Sequence, residues 1–118
     1  MFLLLDETLP LAPKTLLVGH DARTVRDMGW LGLSNGVLLD AVERAGFDAM
    51  ITADQDIRFQ QSMAERRVRL VVLSSNHWQT IRHGAEHIRQ ALLRPDDGTY
   101  RVVPLEPPPP RRRPPPAR

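Results

Sequence analysis

The sequence predicts an α/β domain with a mainly parallel sheet of four or five strands and helices on both faces. Apolar runs recur between polar segments at intervals that suit alternating strands and helices. The strand-like runs are continuous rather than alternating, which is typical of strands that are buried on both faces. Gly19 and Gly46 stand where helices would end. Because crossover helices connect parallel strands, the carboxyl ends of these strands should meet at one edge of the sheet.

The first part of the chain predicts two strands joined by a short helix. Residues 1–5 (MFLLL) form the first strand, and residues 20–25 (HDARTV) form a short second strand. The segment ETLPLAPKTLL at residues 7–17 predicts the helix between them. Its prolines, Pro10 and Pro13, are tolerated only near the first turn of such a helix.

The middle of the chain predicts a helix followed by a buried strand. Ser34 or Asn35 can cap the helix GVLLDAVERAG, and Gly46 suits the left-handed residue after its end. One face of this helix is predicted to carry its apolar residues, Val37, Leu38, Ala41 and Ala45. Residues 47–52 (FDAMIT) then form the next strand.

The second half continues the alternation of helices and strands. Residues 57–67 predict a helix, and residues 68–74 (VRLVVLS) predict a strand because they are rich in β-branched residues and leucine. Residues 77–93 predict one long amphipathic helix, and PDDG at residues 95–98 predicts a turn. The segment TYRVVPL at residues 99–105 predicts an edge strand, since its proline is tolerated only at a sheet edge.

Length and composition predict one folded domain at residues 1–106 and a disordered tail at residues 107–118. The tail contains seven prolines and four arginines and cannot pack a core, so it should be extended and mobile. The net charge of the whole chain is +2. Without the tail, 12 basic residues face 14 acidic ones, a net charge of −2, so the basic character belongs to the tail.

The absence of cysteine excludes disulfides, a thiolate nucleophile and a zinc–cysteine site, and favours a cytoplasmic protein. The run MFLLL is too short for a signal peptide, because two acids follow it at once. No segment approaches the apolar length of a membrane span. The expectation is therefore a soluble protein with no membrane partner.

Acidic residues follow two of the predicted strands. Asp6 and Glu7 come directly after the first strand, and Asp54 and Asp56 follow the strand at residues 47–52. Like charges that are crowded together repel each other, so such a cluster indicates a bound cation. Oxygen ligands suit Mg²⁺ or Mn²⁺, which can promote hydrolysis of a phosphodiester. For Glu7 and Asp56, a favourable position near a helix N-terminus is an equally good explanation.

Four segments carry a resemblance to a known family: LLLDETLP, GHDARTVRDMGWLGLSN, GVLLDAVERAGFDAMITADQDI and VVLSSNHW. Together they resemble bacterial PIN-like domains related to VapC-type toxin ribonucleases, in a short branch that starts at its first strand. The resemblance implies a three-layer PIN-like fold that binds Mg²⁺ or Mn²⁺ through its acids and cleaves RNA. It implies Asp6, Asp54 and Asp56 as metal ligands. It also implies that the hydroxyl of Thr52 orders the loop behind them.

Asn35 departs from the family pattern, because related domains often carry an acid at this position. Its amide oxygen can still help to hold the metal or its water, so Asn35 is predicted to be a catalytic residue. The site then has one negative charge fewer than a site with an acid at this position. On a helix, Asp40 lies about 140° around from position 35, and Glu43 lies roughly 12 Å along the axis, so neither can substitute. Glu7 and Asn76 are predicted to lie around the site.

The loss of one acid leaves two functional classes open within this family. One is an active ribonuclease, plausibly the toxin of a toxin–antitoxin pair. The other is a catalytically weak or inactive PIN-like module that binds a protein. The possible partners are RNA, an antitoxin protein and a second copy of the chain.

Two further interpretations compete with the PIN-like one. A receiver-like phosphoacceptor domain would explain acids after the first and third strands and Ser74 after the next one, but such domains need a lysine after the fifth strand. The chain has only Lys14. A zinc site at His83 and His87 would use their i,i+4 spacing, but no third ligand is evident, so a solvated helix face is favoured.

Overall fold

The computed structural model describes residues 1–10, 17–57, 66–93 and 100–109. Five strands form one sheet in the order β2-β1-β3-β4-β5, and every neighbouring pair is parallel. The strands are β1 (Phe2–Leu5), β2 (Asp21–Thr24), β3 (Ala49–Thr52), β4 (Arg69–Leu73) and β5 (Tyr100–Val103). The described helices are α1 (Asn35–Arg44), α2 (Trp78–His83) and α3 (Ala85–Leu93). The predicted α/β class with a parallel sheet is confirmed.

Helices cover both faces of the sheet and make three layers. Leu3 and Leu5 of β1 belong to the apolar cluster that contains side chains of α2 and α3. Leu4 points the other way, into the cluster that contains side chains of α1. All three leucines are at most 2% exposed, as the continuous apolar run predicts for a central strand. Full burial of one such side chain contributes about 1.5–3 kcal/mol to folding.

Helix α1 has the predicted limits but buries a different set of residues. Ser34 is its N-cap, and Gly46 has a φ of 82°, the left-handed conformation expected just after the helix end. The inward face carries Leu38, Leu39 and Val42. The prediction is wrong for Val37, which is 53% exposed, and for Ala45, which is also exposed.

The single long helix predicted for residues 77–93 is in fact two helices, interrupted at Gly84. The break lies where the segment after β5 packs against the helix pair. A β-carbon at Gly84 would lie 2.5 Å from Cδ2 of Leu105, so a glycine allows the close approach. The sequence pattern alone could not show this contact, because it joins residues that are far apart in the chain.

Ser74, directly after β4, forms hydrogen bonds with the end of the edge strand β5 and with the segment that follows it. The amide of Leu105 donates to Oγ of Ser74 at 2.7 Å, and the amide of Ser74 donates to the carbonyl of Val103 at 3.1 Å. Pro104 follows the last residue of β5, which confirms the predicted edge position. The two β4–β5 contacts therefore fix the chain as it leaves the sheet.

Several predicted elements fall wholly or partly outside the described residues. These are the helices at residues 7–17 and 57–67, the turn at residues 95–98 and most of the tail. Among the described residues, no helix is long and apolar enough to cross a membrane.

Candidate functional site

The order of the strands marks one crevice at the carboxyl edge of the sheet. Strand β1 pairs with β2 on one side and with β3 on the other. The chain therefore moves in one direction across the sheet from β1 to β2, and in the opposite direction from β3 to β5. In open parallel sheets, ligands bind at the point where the strand order reverses in this way. Asp6 follows β1 and Thr52 ends β3, so both residues lie at this crevice. The structure thus brings together the ends of the two predicted acid-bearing strands.

Asp6 is a buried carboxylate held by two hydroxyl groups. Asp6 is only 6% exposed. Oδ2 accepts a hydrogen bond from Thr52 at 2.7 Å and another from Thr8 at 3.0 Å. Its backbone amide donates to the carbonyl of Ile51 at 2.9 Å, which fixes the residue against β3. Within the described part of the chain, neither Oδ1 nor Oδ2 contacts a cationic side chain.

Thr52 connects the two strand ends through one fully buried hydroxyl. This hydroxyl donates to Asp6 and accepts the backbone amide of Asp54 at 3.0 Å. The backbone of Asp54 is therefore held in a fixed position relative to the Asp6 carboxylate. Thr52 therefore lies behind Asp6 and orders the start of the loop that carries Asp54.

Thr8 is a part of the site that the sequence analysis missed. Its hydroxyl donates to Asp6, accepts the amide of Ala53 at 3.0 Å and lies 3.3 Å from the Thr52 hydroxyl. A threonine two residues after the first acid, in the run LDET, is the available signal. Hydroxyl side chains commonly bond to groups two residues away, which makes this position informative.

Asp54 and Asn35 meet across the crevice. Nδ2 of Asn35, the first residue of α1, donates to Oδ2 of Asp54 at 3.2 Å. Oδ1 of Asp54 accepts the backbone amide of Asp56 at 3.0 Å, which closes a local turn. Asp54 is half-buried and Asp56 is exposed. The structure thus joins Asn35 to Asp54, with an amide rather than a carboxylate facing this acid.

The other predicted site residues lie nearer the surface. Glu7, Asp56 and Asn76 are exposed. Within the described ranges, no group of three or more His, Asp or Glu side chains is close enough together to hold a metal ion. The crevice therefore offers two carboxylates, Asp6 and Asp54, with Asp56 on the same loop as Asp54.

The polar residues after β4 have structural partners. The hydroxyl of Ser74 binds the backbone of Leu105, and Oγ of Ser75 accepts the amide of His77 at 3.1 Å. The Gln55 side chain donates to the carbonyl of Leu73, which ties the loop after β3 to the end of β4. The hydroxyls of Ser74 and Ser75 are therefore engaged in backbone contacts.

Asp40 and Glu43 face away from the site and bind one arginine. Nη1 of Arg66 lies 2.8 Å from Asp40 and 2.9 Å from Glu43. Burial lowers the pKa of Arg66, but the two carboxylates outweigh it and the net pKa is raised. Both acids are therefore engaged by Arg66 rather than by Asn35 or Asp54.

The remaining candidates from the sequence lie elsewhere. His83 and His87 are exposed and line an open groove of about 770 Å³ beside β5, at the far edge of the sheet.

Comparison with known proteins does not add a family. No family model, no curated protein and no solved structure matches the chain. The resemblance to PIN-like domains therefore remains a hypothesis that rests on the sequence motifs.

Proposed function

We propose that this chain is a Mg²⁺- or Mn²⁺-dependent ribonuclease of the PIN-like class, with the metal held by Asp6 and Asp54. The observation that supports this proposal is the Asp6 carboxylate, which is buried at the switch point of the sheet with only hydroxyl donors on Oδ2. Burying a charge is costly unless an opposite charge compensates it. A bound cation would supply that charge.

The donor atoms fit a hard, strongly hydrated cation. Mg²⁺ is usually held by one or two carboxylates and keeps several of its waters. Asp6 and Asp54 supply two carboxylates, and Asp56 is the third candidate ligand. The amide oxygen of Asn35 adds a neutral group of the kind that such a cation accepts. Two threonines behind Asp6 would hold its carboxylate in one orientation.

In the reaction, the protein residues would position charge rather than form covalent bonds. Thr52 and Thr8 fix Oδ2 of Asp6, while Asn35 and the amide of Asp56 fix Asp54. Mg²⁺ or Mn²⁺ bound there would supply a Lewis acid that polarises the phosphodiester and stabilises the leaving oxygen. Glu7 lies exposed beside Asp6, where it can help to orient a water or a metal-bound group through solvent.

The same proposal includes a biological role for the chain as a toxin. The resemblance supports a cytoplasmic toxin that is inhibited by an antitoxin protein. A small open reading frame directly beside the gene, encoding a protein that co-purifies with this chain, is the expected observation. A gene that stands alone and whose overexpression does not slow growth would contradict the toxin role.

The test is a Mn²⁺ titration by calorimetry on the full chain. Saturable binding is expected for the wild type and should weaken at least tenfold in Asp6→Asn and Asp54→Asn. Asp21→Asn is the matched control, because Asp21 is an exposed acid at the amino end of β2. Single-stranded RNA should then be cleaved with Mn²⁺ and left intact with a chelator. No binding of millimolar Mn²⁺ to the folded wild type would overturn the proposal.

The second candidate function is a PIN-like module that binds a protein and has lost its activity. The contact between Asn35 and Asp54 favours it, because an amide rather than a carboxylate faces the second acid. Under this alternative the wild type binds a partner protein. It neither binds Mn²⁺ nor cleaves RNA. The calorimetric titration separates the two functions.

The third candidate is a receiver-like phosphoacceptor, which shares the observed strand order. Asp54 follows β3, as a phosphoacceptor would. However, β5 is followed by Pro104 and Leu105 rather than lysine, and Ser74 binds Leu105. We therefore expect no phosphoryl adduct on Asp54 by mass spectrometry after incubation with acetyl phosphate.

A further inference from the structure

A second cavity opens beside the proposed metal site, at the carboxyl ends of β1 and β2. It has a volume of about 220 Å³ and shares Asp6 with the crevice. Glu7 and Arg26 line it as charged groups, and Leu9, Pro10 and Leu31 give it an apolar wall. Asp6 and Glu7 also belong to the proposed metal site, whereas Arg26 and Leu31 have no part in it.

Arg26 is a cation at the mouth of this cavity. Its side chain is exposed, and within the described part of the chain it makes no hydrogen bond or ion pair, although Asp6 and Glu7 line the same cavity. Four arginines in that part of the chain have side-chain partners, namely Arg23, Arg66, Arg69 and Arg89. Arg26 differs from Arg44, which also shows none there, in lining a cavity. The guanidinium of Arg26 is therefore available to an external anion.

The backbone on both sides of Arg26 is held by hydrogen bonds. The amide of Thr24 donates to Oδ2 of Asp27 at 2.9 Å, and the amide of Asp27 donates to Oγ1 of Thr24 at 3.0 Å. The carbonyl of Arg26 accepts the amide of Gly29 at 3.1 Å, where a φ of 73° reverses the chain. Because these bonds fix its Cα, Arg26 can bind a ligand without ordering a flexible loop.

Leu9 belongs to the buried core, but the rest of the apolar wall is not explained by core packing. Leu31 is 49% exposed, and neither Leu31 nor Pro10 belongs to the two buried clusters of the sheet. The cavity is smaller than the roughly 300–1,000 Å³ that drug-sized ligands occupy. Its volume of about 220 Å³ suits one ring system with a short polar extension.

We propose that this cavity is the subsite for one nucleotide of a single-stranded RNA, with Arg26 on its phosphate and Leu31 against its base or ribose. Arginine binds phosphate through two parallel hydrogen bonds. Only an unpaired, unstacked base can enter such a cavity, so the substrate is single-stranded at this position. The proposal rests on the proposed ribonuclease function, since the shared Asp6 joins the subsite to the metal site.

The test measures the affinity of a fluorescently labelled oligouridylate by anisotropy, with a chelator present and over a series of salt concentrations. Arg26→Ala should weaken binding about tenfold. It should also reduce the slope of log affinity against log salt by about 0.7, the value for one phosphate of a single strand. Arg26→Lys should restore the slope but only part of the affinity. Leu31→Ser should weaken binding without changing the slope.

Arg44→Ala is the control, because Arg44 is an exposed arginine in the last turn of α1 and its loss changes the net charge equally. An Arg26→Ala variant that matches this control in affinity and in salt slope would overturn the subsite. Calorimetry of Mn²⁺ with Arg26→Ala separates the two proposals. If the protein binds Mn²⁺ and cleaves RNA normally but Arg26→Ala does not weaken RNA binding, only the subsite is overturned. If RNA binding depends on Arg26 but the protein does not bind Mn²⁺, only the proposed nuclease function is overturned.

Discussion

The hydroxyl of Thr52 lies 2.7 Å from Oδ2 of Asp6, a contact between residues 46 positions apart in the chain. Thr52 is fully buried, and the same hydroxyl accepts the amide of Asp54. One oxygen atom therefore fixes both acids of the proposed metal site. The orientation of the site depends on a residue that would not itself touch the metal.

We expect Thr52→Val to lower the free energy of unfolding by about 2 kcal/mol. Valine keeps the shape of the side chain but leaves the Asp54 amide without its partner and the Asp6 carboxylate with the Thr8 hydroxyl alone. A buried unsatisfied polar group costs about 1–3 kcal/mol. The affinity for Mn²⁺ should also fall, because Asp6 and Asp54 are no longer held together. Urea unfolding and calorimetry give the two quantities.

Thr80→Val is the matched control for this variant. Thr80 is a buried threonine of α2 whose hydroxyl has no hydrogen-bond partner among the described residues. The same replacement should therefore change stability by less than about 1 kcal/mol and leave Mn²⁺ binding unaltered. Equal losses in the two variants would show that the Thr52 hydroxyl has no special role.

We expect Asn35→Asp to destabilise the metal-free protein and to strengthen its binding of Mn²⁺. The amide of Asn35 donates to Asp54 at 3.2 Å, so a carboxylate there replaces attraction with repulsion. The expected loss is about 1 kcal/mol for two partly solvated charges. A bound cation would reverse this effect, so Mn²⁺ should raise the melting temperature of the variant more than that of the wild type.

Asn76→Asp adds the same charge after β4, at an exposed position that makes no hydrogen bond to Asp6 or Asp54 within the described ranges. It should leave both the melting temperature and its response to Mn²⁺ unchanged. If Asn35→Asp behaves like this control, position 35 does not belong to a metal site.

Local patterns in the sequence were sufficient to predict the sheet. The continuous run at β1 indicated burial on both faces, and Leu3, Leu4 and Leu5 are indeed buried on alternate faces. The ends of β1 and β3 could be placed together because parallel strands share one edge. These inferences depend only on periodicity and on the direction of the strands.

Contacts between distant residues could not be predicted in the same way. The interruption of the helix at Gly84 depends on Leu105, and the hydroxyl of Ser74 is occupied by the same residue. Position in the sequence placed Ser74 at a strand end but could not show that β5 returns beside it. The role of Thr8 depends on a hydrogen bond to Asp6 that also requires the folded loop.

Arg66→Ala should lower the free energy of unfolding by about 2 kcal/mol. Its guanidinium binds both Asp40 and Glu43 with only 17% of the side chain exposed, and hydrogen bonds to charged groups contribute about 1.5–3 kcal/mol. The neighbouring Arg67→Ala is the control, because Arg67 is exposed and contacts Glu43 only through its backbone amide. We expect a change within about 0.5 kcal/mol for Arg67→Ala. Similar losses for both arginines would contradict the structural role of the Arg66 pairs.

Gly84→Ala should lower the free energy of unfolding by about 1–3 kcal/mol, because the new methyl group overlaps the side chain of Leu105. Leu105→Ala should cost about 2–5 kcal/mol on its own, through the cavity that it leaves. In the double variant the methyl group fills part of that cavity, so the combined loss should be at least about 1 kcal/mol smaller than the sum of the single losses. Urea unfolding of the four proteins measures this difference. Strict additivity would show that Gly84 and Leu105 do not pack together, and that the helix is interrupted for another reason.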